Sequence, residues 1–104
     1  MENVLSKNPC YMTAAVAAAA KDRKTGRYLN LCITYFVNGF YGTLSDHDIL
    51  VNRQALDQQE GSVFACYPAY GKLDEDIFII GQFSRTNPCD LDQNNTTVLY
   101  ASEY

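Results

Sequence analysis

The sequence predicts an α+β fold, a single domain over residues 1–104 in which an antiparallel sheet of about five strands packs against one or two helices. Three observations predict it: an alanine run from Ala14 to Ala20 behind Asn8-Pro9, an Asn38-Gly39 pair set between β-forming residues, and three apolar β-forming runs in the C-terminal part. Asn8-Pro9 reads as an N-cap followed by proline at the first helical position, where the missing N–H costs nothing. The alanines favour helix, Lys21, Arg23 and Lys24 suit the negative end of its dipole, and Gly26 is placed for a left-handed cap. A helix over residues 9–24 is expected, with a strand turning at Lys24-Thr25-Gly26 as the alternative.

From Arg27 the residues turn to β-formers, Tyr28 to Val37 and then Phe40, Tyr41 and Thr43. Asn38-Gly39 between them predicts a hairpin, because a type I′ turn needs positive φ at both central residues. Ser45 and Asp48 resemble a capping box, and Ile49, Leu50, Arg53 and Leu56 follow at near-helical spacing, predicting a helix over residues 46–59 that ends before Gly61. Val63–Tyr67 reads as a strand ending at Pro68, Ile77–Phe83 as the buried centre of the sheet, and Thr96–Ser102 as the final strand. Residues 84–95 are turn-formers without periodicity.

A hydrophobic fraction of 47% and a charged fraction of 19% exclude disordered, collagen-like and coiled-coil classes. No apolar run is long enough to span a bilayer, so no membrane association is expected. Glu2 and Asn8-Pro9 interrupt the approach to the alanine run, so no export signal is expected either; the expected localisation is cytoplasmic, with Cys10, Cys32, Cys66 and Cys89 as reduced thiols. The cysteines form no CxxC pair, and with His47 as the one histidine they fit no zinc framework.

The net charge of −4 is unevenly placed. Residues 1–30 hold five basic and two acidic residues, whereas the rest hold three basic and ten acidic ones. An acidic body is repelled by phosphate backbones, so direct nucleic-acid binding is not expected, while a protein partner with a basic surface is.

Candidate chemistry is sparse. Asp46-His47-Asp48 could tune a histidine for proton transfer, yet a helix start accounts for the same residues. A nucleophile pair of His47 with Cys32 or Cys66 would define a small cysteine/histidine-dependent enzyme, the alternative reading. Asp90-Leu91-Asp92 imitates the opening of a calcium loop, but Asn95 and Ala101 stand where its glycine and bidentate glutamate belong. No metal or other cofactor is expected. Lys21–Arg27 is complete as the charged end of a helix, and glycine-rich phosphate loops, GxSxG and HExxH are absent.

Tyrosine stands out, with eight residues and no tryptophan. Its apolar face, polar tip and low rotamer entropy suit interfaces, and Tyr41, Tyr67 and Tyr70 lie near turns. With the acids Asp74, Glu75, Asp76, Asp90 and Asp92 they form the candidate partner-binding set. The expected function is a non-enzymatic protein-binding module: a small acidic stoichiometric inhibitor or modulator of a larger basic-surfaced enzyme, for example one that handles nucleic acid, as in phage or mobile-element counter-defence. A self-associating structural subunit, such as a homodimer with the final strand pairing across an edge, is the third reading.

Overall fold

The computed structural model describes residues 9–83 and 95–104. The described elements run β1 (Cys10–Met12), α1 (Ala14–Ala19), α2 (Arg23–Val37), α3 (Asp46–Gln58), β2 (Ser62–Tyr67), β3 (Ile77–Gln82), β4 (Asn95–Tyr100) and a 3-10 turn, Ala101–Glu103. The α+β class holds, but the sheet has four strands in the order β1-β4-β3-β2, with β1 parallel to β4 and the other pairs antiparallel, rather than five antiparallel strands. No helix among the described residues is long and apolar enough to cross a membrane.

The expected helix over residues 9–24 is divided. Residues 10–12 pair with Thr96, Thr97 and Val98, and Thr13 then caps α1 by accepting the Val16 N–H at 3.4 Å. Asp22 captures the Thr25 N–H at 3.0 Å and starts α2, because a short carboxylate at an N-cap satisfies donors that the helix leaves open. Gly26 lies inside α2 and is not a cap: a Cβ there would meet the Ala20 carbonyl oxygen at 2.7 Å, so its lack of a side chain lets the two helices turn so closely.

The hairpin expected at Asn38-Gly39 is replaced by the end of α2. Thr25, Leu29, Cys32 and Phe36 recur at helical spacing and are all buried. That stripe decides the conformation, because β-propensity is worth well under ~1 kcal/mol per residue whereas burying one such side chain is worth about 2 kcal/mol. Asn38 has φ −102, which a type I′ turn forbids, while Gly39 has φ +86. The Gly39 N–H donates to Phe36 O at 3.2 Å and the Phe40 N–H to Tyr35 O at 2.9 Å, a Schellman cap. A hairpin turn and this cap both require left-handed glycine, so the dipeptide is compatible with either.

The other elements follow their sequence patterns. Ser45 caps α3 by accepting the Asp48 N–H at 3.2 Å. Alternate residues of the sheet, Val63, Ala65, Tyr67, Ile77, Ile79 and Val98, meet Val16, Leu29, Cys32 and Phe36 in one core. The final strand ends at Tyr100 and lies between β1 and β3, so it offers no edge for self-pairing. The outer edge of β2 is closed within the chain. Asn52 accepts the Phe64 N–H at 2.9 Å and donates to its carbonyl at 2.7 Å, while Cys66 accepts from Thr43 N at 2.9 Å and donates to Tyr41 O at 3.2 Å.

Candidate functional site

A cleft of about 860 Å³ opens where α2, the segment between α2 and α3, and the loop after β2 converge. Its walls follow from local structure. Tyr28, Leu31, Cys32 and Tyr35 recur on one face of α2, adjoining the buried stripe. The Schellman cap brings Phe40 back onto Tyr35, edge to face with ring centroids 6.2 Å apart, as such caps pair the residue after glycine with the last turn. Tyr70 meets Tyr28 in the same way at 6.2 Å. The Thr25 hydroxyl donates to Lys72 O at 2.7 Å, so the loop after β2 is tied to the start of α2. The cleft therefore runs along α2, from Tyr28, Tyr70 and Lys72 at one end to Tyr35 and Phe40 at the other.

Inside it the phenols are committed. Tyr28 donates its hydroxyl to the Pro68 carbonyl and Tyr67 to the Phe40 carbonyl. Burial, reinforced by the nearby Cys32 thiol, raises both phenols above the ordinary tyrosine range, so they stay protonated donors. Burial also raises Tyr41, against a smaller opposing pull from the Arg53 guanidinium. The Cys32 thiol is pushed up to about 11 by burial, which leaves it protonated and poorly nucleophilic at neutral pH.

The floor is buried and the rim is exposed. Tyr41 and Tyr67 are buried, whereas Leu31 and Tyr35 are each 44% exposed, Phe40 65% and Tyr70 75%. Tyr70 also holds φ +51, a left-handed conformation that a bulky side chain rarely adopts. Gly42 has φ +73, and a Cβ there would stand 1.9 Å from the Cys66 carbonyl oxygen, so only glycine lets this segment lie against β2. No protein-family model, no curated protein and no solved structure matches this chain.

Of the residues singled out in the sequence, Tyr41, Tyr67 and Tyr70 line this one cleft together. Asp74, Glu75 and Asp76 lie in the loop between β2 and β3. Glu75 accepts the Ser102 N–H at 2.7 Å and its hydroxyl at 2.9 Å, and Asp76 accepts the Ala69 N–H at 3.0 Å, so these two carboxylates brace the chain while Asp74 stands exposed. Asp90, Asp92 and Cys89 lie outside the described residues. His47 is exposed on the first turn of α3 and does not line the cleft that holds Cys32. Among the described residues Cys10, Cys32 and Cys66 are free thiols, and no group of three or more His, Cys, Asp or Glu is placed to hold a metal ion. Sequence reasoning missed Tyr28, Leu31, Tyr35 and Phe40. The signal for Tyr28, Leu31 and Tyr35 was a second helical stripe, hidden by reading residues 27–37 as strand, and Phe40 is placed by the cap that follows it.

Proposed function

We propose that the protein is a non-enzymatic binding module that engages another protein through the tyrosine-lined cleft. The observation that supports this reading is the convergence of Leu31, Tyr35, Phe40 and Tyr70, four exposed large apolar side chains, on one rim above a buried aromatic floor. Exposed apolar groups gathered around a concavity gain by desolvation when a partner covers them, and aromatic anchors of this kind dominate interface energetics. Tyr70 adds to the case, since its left-handed backbone holds a ring that is 75% exposed and touches the protein at its edge contact with Tyr28. The net charge of −4 favours approach to a basic-surfaced enzyme, which the module would then block by stoichiometric occupation.

The test is capture of a partner from the native host, followed by binding kinetics of the purified pair. Phe40→Ala and Tyr70→Ala should each speed dissociation about tenfold, the loss expected for a packed aromatic anchor. Raising salt should weaken binding only slightly if the cleft dominates, and steeply if exposed acids do. A partner whose binding ignores both substitutions places the interface elsewhere. Turnover of a small molecule that Cys32→Ser abolishes would replace binding with catalysis.

A further inference from the structure

The charge in the lining of the cleft has the opposite sign to the body. Lys72 is the one charged residue in its lining, and among the described residues its ammonium forms no ion pair. Lys24, whose ammonium acts on the Asp22 carboxylate, and Arg27 stand four residues before Tyr28 and Leu31 on α2, so both flank the lining stripe at the end where Lys72 lies. Arg53 lies near the Tyr41 phenol and the Asp76 carboxylate near the Tyr28 phenol. Asp46, three residues before Ile49 on α3, belongs to the segment that leaves the opposite, Phe40 end. The two aromatic pairs, Tyr28 with Tyr70 and Tyr35 with Phe40, are set by residues seven apart on α2, or about 10 Å at the helical rise.

Resting on the cleft as the binding site, we infer that its occupant is a partner segment with two large apolar side chains about 10 Å apart and an aspartate or glutamate at the end that meets Lys72. The apolar side chains cover the two aromatic pairs, and the carboxylate is the group that an ammonium without an ion pair among the described residues, set beside apolar walls, selects. The phenols of Tyr28 and Tyr67 already donate to backbone carbonyls, so they do not compete for it. The long-range field of the acidic body and the local charge of the cleft thus act on different parts of one partner: its surface at large, and the segment inserted.

A phage-displayed library of random 12-residue peptides, panned against the intact protein, tests this. Enriched peptides should pair two large apolar residues with an Asp or Glu, and replacing that acid with its amide should weaken binding about tenfold to the wild type and little to Lys72→Met. Lys72→Glu, an exposed substitution whose fold is checked by circular dichroism, should enrich Lys or Arg at the same place. Peptides that lose binding in Phe40→Ala or Tyr70→Ala but show no acid preference overturn the charge assignment and leave the cleft reading standing. If nothing is enriched, or the enriched peptides bind those two variants as well as the wild type, both fall.

Discussion

Tyr70 combines an unfavourable backbone with an exposed ring, and the two can be separated by mutation. A left-handed conformation costs a residue with a Cβ about 1–2 kcal/mol more than it costs glycine. Tyr70→Gly and Tyr70→Ala both remove the edge contact with Tyr28, so their difference isolates the backbone. Tyr70→Gly should be about 1 kcal/mol more stable than Tyr70→Ala in denaturant unfolding, while both lose partner binding equally. Equal stability of the two would show that no strain is held at this position. The residue could be singled out in the sequence because it sits between Pro68 and Gly71. Tyr28 and Tyr35 could not, since their role depends on the conformation of the whole segment around them.

Elements are held in place here by a few polar groups doing backbone work. Asn52, 2% exposed, uses its amide as a surrogate strand against Phe64 and so joins α3 to the edge of β2. Asn52→Leu keeps the volume but leaves the part-buried Phe64 N–H and carbonyl unpaired. It should cost about 3 kcal/mol, taking each orphaned group at roughly 1–3 kcal/mol, as read from the unfolding midpoint. With the edge of β2 opened, size-exclusion chromatography should also show concentration-dependent association, the behaviour of an unprotected strand. Loss of stability without association would mean that the Tyr41–Thr43 segment suffices to cover the edge. The capping of α3 by Ser45 was legible because it is local, whereas the clamp on β2 joins residues from separate elements and left no pattern in the chain.

For the whole molecule, the buried Cys32 thiol ties stability to alkaline pH. Its folded pKa of about 11 lies above its ordinary value of 9.0, so the folded chain keeps a proton that the unfolded chain releases. Its contribution is fully present below pH 9, and stability should fall as pH climbs from about 9 towards 11. Cys32→Ala should flatten that fall, measured as the unfolding midpoint across the range. An unchanged slope would assign the alkaline loss to other groups, with the raised phenols of Tyr28 and Tyr67 next in order.

By itself the sequence determined the α+β class, α3, and the strands β2, β3 and β4, because each is specified by signals within a few residues: a capping serine, short runs of β-forming residues, and turn-forming residues between them. Only the tertiary structure decided that residues 23–37 form one helix, that Asn38-Gly39 closes it, and that six aromatic side chains meet in a cleft. The physical reason is relative magnitude. Local preference for strand over helix amounts to tenths of a kcal/mol per residue, while burying the Leu29, Cys32 and Phe36 stripe against the sheet is worth several kcal/mol and exists only once the sheet is there.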